Sequence, residues 1–303
     1  MRPSIFLAVL CFCIFLPYKV SAEKNTSAEL VPMYIPPTSQ GGWKVTFEDT
    51  RGAFSVKEIL VQPGTRSNPL AHSQEHTGFY ILEGEYEFDI GDRLISAPLG
   101  SFLFVPRDVQ HTYKNTGTTI AKHLRYGISI PKDKLESATE LDPVFIPPTS
   151  QGGNLTNVGK NRKGGWKVTA ENTRGIFSIV ETLIKPGMGP VPHRHSREDE
   201  GFYILEGQEE YRVSDRVILA SAGSFVFAPR GVPHAYKNVG STTSRHITII
   251  TPSGLKNFLD ERNALRKELS ATDSTYQRRL KTLIDKYGLE YNAEWSFPPV
   301  ADE

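Results

Sequence analysis

Apolar residues in this chain fall into short runs, each stopped by a turn signal. Phe202–Leu205 ends at Glu206-Gly207, and Glu210–Val213 runs into Ser214-Asp215. Ser224–Phe227 precedes Pro229-Arg230-Gly231, and Arg245–Ile250 closes at Pro252. Runs this short and evenly spaced, rich in Phe, Tyr, Val and Ile, predict β-strands. Their number predicts a closed or double-sheet barrel. After Pro252 the period changes. Leu255–Leu269 and Ser274–Tyr287 carry helical spacing, and Gly288 supplies a helix stop.

The pattern occurs twice. IPPTSQGG at 35–42 recurs at 146–153, and Trp43 to Asn115 aligns with Trp166 to Asn238 at a constant offset of 123. The second copy has an extra segment, Asn154 to Gly165, whose Asn, Gly and Lys content predicts a surface loop without a strand. The fold class expected is all-β: two tandem barrels with a short C-terminal helical tail. The expected division is a signal segment 1–22, a linker 23–34, barrel one 35–131, a linker with inserted loop 132–165, barrel two 166–252, and a tail 253–303.

At the N-terminus Arg2 precedes an apolar run, Ile5 to Leu16, which Pro17 breaks; Val20-Ser21-Ala22 then offers small residues for cleavage. The run is too short for a membrane span of about 20 residues. A cleaved secretory signal is therefore expected, giving a secreted protein with no membrane association after cleavage. Both cysteines, Cys11 and Cys13, lie inside that signal, so the mature chain has no disulfide and must rely on its core. Sequons at Asn25 and Asn154 are candidate glycosylation sites. Charge is balanced, 35 Lys+Arg against 34 Asp+Glu, which argues against nucleic acid as a partner.

The chemistry is concentrated in the second copy. Gly187, His193, His195, Glu200 and Gly207 give G-x5-H-x-H-x4-E-x6-G. Gly223, Pro229, Gly231, His234 and Asn238 give G-x5-P-x-G-x2-H-x3-N. Residues two apart on a strand share a face, so His193 and His195 point together into the barrel. Imidazoles with a carboxylate suit a divalent transition metal and leave coordination positions open. Tyr236 and Phe202 follow His234 and Glu200 by two and are candidates for the pocket wall or for plain core packing.

These motifs resemble the two signature motifs of the cupin superfamily. The resemblance covers roughly residues 35 to 252 and implies jelly-roll-like β-barrels. Carried over position by position, it implies a metal held by His193, His195, Glu200 and His234. In the first copy Leu70, His72, Thr77 and His111 occupy those four positions, while Gly64, Gly84, Gly100, Pro106 and Asn115 keep the turn signature. The first site thus reads as degenerate and its barrel as scaffold, with room left for an organic ligand bound without metal. His76, one residue from Thr77, should point to the other face of its strand. The two barrels are expected to pair about an approximate two-fold axis. Homo-oligomer formation is compatible with this reading.

The run from Pro192 to Gly207 and the tail ending Leu283–Glu290 look like quercetin-dioxygenase-like cupins. That implies one divalent ion (Mn, Fe, Ni or Cu), a small flavonol-like or other enolic substrate, and Glu200 as both ligand and catalytic base. Two other readings stand beside it. Oxalate oxidase or decarboxylase chemistry needs a cation near the metal, and the motif segments offer only Arg194, which should face away. A binding or storage protein needs no turnover at all.

Overall fold

A computed structural model describes residues 31–130, 141–148, 155–159 and 162–292. The expected signal segment and both sequon asparagines, Asn25 and Asn154, lie outside the described residues. The first copy contributes β1 (Met33–Ile35), β2 (Gly42–Val45), β3 (Phe54–Val61), β4 (Glu75–Glu83), β5 (Glu85–Ile90), β6 (Arg93–Pro98), β7 (Phe102–Val105), β8 (His111–Asn115) and β9 (Ala121–Ser129). The second gives β10 (Val144–Ile146), β11 (Leu155–Gly159), β12 (Arg162–Val168), the short α1 (Ala170–Thr173), β13 (Ser178–Ile184), β14 (His193–His195) and β15 (Asp199–Glu206). It continues with β16 (Gln208–Val213), β17 (Arg216–Ser221), β18 (Phe225–Ala228), β19 (His234–Asn238) and β20 (Ser244–Thr251). The tail holds α2 (Leu255–Glu268), α3 (Ser274–Tyr287) and β21 (Leu289–Tyr291).

Each barrel is a two-sheet sandwich. In the first, the sheet β10-β7-β4-β9-β3-β2 faces β6-β5-β8; in the second, β1-β18-β15-β20-β13-β12-β11 faces β17-β16-β19-β14-β21. The central strands are buried on both faces. Phe202 and Ile204 of β15 enter the barrel core beside Tyr211 and Val226. Tyr203 between them enters a separate core shared with the first barrel, where Phe54 and Phe104 meet Phe177 and Phe227. Period-two alternation thus feeds two cores from one strand, which is why the runs read as continuously apolar.

Contacts between the barrels repeat reciprocally. β1 pairs with β18 of the second barrel, and β10 pairs with β7 of the first, so the arms are exchanged. Lys44 Nζ donates to the Gly223 carbonyl at 3.0 Å, and Lys167 Nζ donates to the Gly100 carbonyl at 3.0 Å. Phe54 packs on Phe227 and Phe104 on Phe177 in edge-on geometry, at 5.7 and 5.5 Å. The lysine and phenylalanine pairs map onto each other at the offset of 123 and the arms at 111, as a closed two-fold pairing requires.

Two expectations change. The segment expected as a loop is a hairpin: β11 pairs with β12, which extends the second barrel's sheet through pairing with β13. Ladder bonding to a long neighbour overrides the loop-like composition. The arm around Val144–Ile146, placed in a linker by sequence, is a strand for the same reason. The tail helices match expectation. α3 starts at the N-cap Asp273, which accepts from the Thr275 amide, and ends where Gly288 adopts φ 67°.

Candidate functional site

Three strands of the second barrel bring the motif residues together. β14 carries His193 and His195, β15 carries Glu200, and β19 carries His234, with His193 and His234 directly opposite in register. One ligand atom from each of the four residues lies within 4.8 Å of the others, a grouping found nowhere else among the described residues. His195, Glu200 and His234 are buried, and His193 is largely buried beside them.

The backbone presets the imidazoles. His193 Nδ1 lies 2.9 Å from the Val191 carbonyl and His234 Nδ1 3.2 Å from the Val232 carbonyl. A ring that donates through Nδ1 presents Nε2 as a lone pair, the form that takes a metal. Glu198 stands 3.4 Å from His195 Nδ1, a buried negative charge beside that ring rather than a hydrogen-bond acceptor for it. The Nε2 atoms of His234 and His195 then sit 2.8 and 3.5 Å from Glu200 Oε2.

Burial would raise the Glu200 carboxyl, but His195, His234 and His193 together outweigh it and hold it at about 2. His195 is raised, because Glu200 and Glu198 overcome burial. His193 is driven well below the ordinary imidazole value by burial and by the two other rings. Neither ring nitrogen of His195 is hydrogen-bonded. A buried imidazole without a hydrogen bond, two rings with Nε2 turned inward, and one ionised carboxylate form a donor set that fits a divalent ion.

His193 and Glu200 of the cluster line a cavity of about 450 Å³. Phe202 and Tyr236 line it, as do Trp166, Phe258 and Leu259. The tail closes the wall: β21 pairs with β14, and Tyr291 stacks on His193. Arg194, as expected, faces away and donates to Glu290 at 2.8 Å. The motif segments offer only Arg194, but from outside them Arg162, Arg262 and Arg266 line the cavity. Arg162 donates to the Tyr236 hydroxyl at 2.8 Å. These arginines come from the extra hairpin and the tail, outside the motifs, and no local pattern marks them. Glu198 also goes beyond expectation, since adjacent surface-type acids gave no sign of its burial.

The first barrel diverges at the same place. Leu70 bridges His111 in the register that His193 holds with His234. Arg125, aligned with Thr248, reaches inward: it pairs with Glu75 and comes within 3.1 Å of His72 Nε2. A guanidinium beside the two surviving histidines opposes a metal cation electrostatically. His76 does face the other way, accepting from the Arg107 amide at 3.1 Å and packing edge-on against Phe104. Its counterpart Asp199 accepts from the Arg230 amide at 2.7 Å, so both residues tie the same turn. Asp108 keeps the positive φ, 62°, that Gly231 adopts at 80°.

Residues 57–125 and 180–250 match the family described as cupin domain. The chain is 22% identical over 260 residues to quercetin 2,3-dioxygenase of Bacillus subtilis, covering 69% of this chain and 77% of that protein. It is 30% identical over 93 residues to protein SchB of Streptomyces halstedii, covering 29% of this chain and 67% of that one. Among solved structures, a putative glyoxylate-induced protein of Pseudomonas aeruginosa superposes with TM-score 0.61 at 18% identity. That match covers 72% of this chain and 88% of the other.

Proposed function

This chain belongs to the cupin superfamily as a member with two cupin domains, and from that premise we propose a metal-dependent dioxygenase acting on a small enolic or phenolic substrate in the second barrel. His193, His195, Glu200 and His234 would hold one divalent transition ion, which would supply the redox contact between substrate and dioxygen that side chains lack. The observation that carries this reading is the convergence of those four side chains, two of which line an aromatic-walled cavity.

The protein's own part is binding, orientation and proton transfer. Phe202, Tyr236 and Trp166 give a planar aromatic body a wall to pack on and exclude water around it. Glu200, ionised at neutral pH, is placed to take the proton of an acidic hydroxyl that enters the site. Substitution separates its duties. Glu200→Gln keeps the shape and one oxygen donor, so metal content falls only in part while turnover falls about 10²–10⁴-fold. His193→Ala loses metal and turnover together. Oxygen uptake by metal-loaded protein against flavonols and simpler enols tests the reading. Binding without uptake under every reconstituted metal would replace it with a binding or storage role.

Oxalate chemistry is the second reading, favoured by the arginines on the cavity wall. A two-carbon dianion would fill little of about 450 Å³, and the wall is mostly apolar, so this reading ranks lower. Oxalate belongs in the same uptake panel, with carbon dioxide release recorded. We also infer secretion, supported by the pattern of residues 1–22. Mass spectrometry of exported protein should find Glu23 at or near the N-terminus; retention of Met1 in a soluble product would contradict it.

A further inference from the structure

We propose that Arg262 anchors the carboxylate of an organic acid, whose apolar body lies along the cavity toward the histidine–glutamate cluster. The proposal deepens the functional reading and rests on it for the chemistry at the cluster, though not for the binding itself.

Arg262 is 9% exposed, and its Nε and Nη2 are buried without a hydrogen-bond partner among the described residues. Its guanidinium lies 5.6 Å from the centre of the Phe258 ring, on the face of α2 that closes the cavity. Burial and then the neighbouring Arg266 press its pKa below the ordinary guanidinium value, and among the described residues no carboxylate opposes them. Arg162 and Arg266, also on the wall, are occupied with the Tyr236 and Tyr276 hydroxyls. Glu200 is the sole acidic residue of the lining among the described residues, and its charge is committed to three imidazoles.

The cavity therefore carries excess positive charge, and the Arg262 fork holds two buried nitrogens left to fill. A buried cation without a partner is costly to keep, and a carboxylate matches the planar fork with two parallel hydrogen bonds. Trp166, Phe258, Leu259 and Ile284 make the rest of the wall apolar, which suits an organic acid better than a strongly hydrated inorganic anion. Sequence gave no hint of this site, because Arg262 lies on a tail helix far from either motif.

Calorimetric titration with trans-cinnamate and with its neutral isostere cinnamamide tests the proposal, using metal-free and metal-loaded chain. Wild-type protein should bind the acid at least about tenfold more tightly than the amide, as expected for hydrogen bonds to a charged group. The preference should persist without metal. Arg262→Met should bind both ligands alike, and Arg262→Lys should keep a reduced preference. Equal binding by wild type, a preference confined to metal-loaded protein, or a full preference in Arg262→Met would each overturn the assignment. Should Arg262→Met fail to fold, the metal-free wild-type comparison and the Arg262→Lys variant still decide. Inorganic phosphate at matched concentration should not displace cinnamate; displacement would show a general anion site instead. Metal analysis of the same samples keeps the readings apart: protein that takes up no metal defeats the dioxygenase reading and leaves the acid preference standing.

Discussion

Tyr291 stacks on His193, with ring centroids 5.8 Å apart and planes 25° from parallel. The tail is therefore part of the site wall, because β21 completes the sheet that carries the motif histidines. Leu289 fixes that strand, packing with Phe258 and Leu259. Leu289→Ala should cost about 2–4 kcal/mol in urea unfolding, as a buried leucine does. Leu94→Ala, at an exposed position, should change little. Equal effects would mean that the tail does not brace the barrel.

The shared face of the two barrels contains paired but unequal charges. Lys44 and Glu58 are buried 3.1 Å apart, and Lys167 and Glu181 repeat the arrangement at 3.1 Å. Glu181 has a second close partner, Arg245 at 2.6 Å, whereas the next cation to Glu58, Lys122, stands at 3.9 Å. Lys44→Met should thus cost about 3–5 kcal/mol by leaving a buried carboxylate poorly paired. Lys167→Met should cost clearly less. Denaturation of both variants checks the order, and the reverse order would contradict it.

Metal uptake should depend on pH through His195. Its pKa is raised in the folded protein by Glu200 and Glu198 against burial. A raised histidine holds its proton into the neutral range, and that proton competes with the ion for the ring. Affinity should therefore rise with pH through this pKa, by up to about tenfold per pH unit, and level off above it. Cobalt titrations followed by visible absorption between pH 6 and 8 would show the slope. A flat profile would remove His195 from the ligand set.

Much of the second site was legible in the chain because its parts are local. His-x-His on one strand and turn glycines at fixed spacing follow from backbone geometry, as does the alternation at His76–Thr77 in the first barrel. The arm exchange was not legible. Phe102–Val105 and Phe225–Ala228 are near copies, so sequence cannot say which of them an arm such as Met33–Ile35 will join. Arg162, Arg262 and Tyr291 were hidden for another reason: only closure of the tail and hairpin over the barrel mouth brings them to His193.

The four converging side chains predict one metal site per chain, in the second barrel. Elemental analysis of purified protein tests it most directly, with His234→Ala and His111→Ala prepared in parallel. One divalent ion per chain is expected in wild type and in His111→Ala, and a large loss in His234→Ala. Two ions per chain, or one that survives His234→Ala and disappears in His111→Ala, would contradict the account.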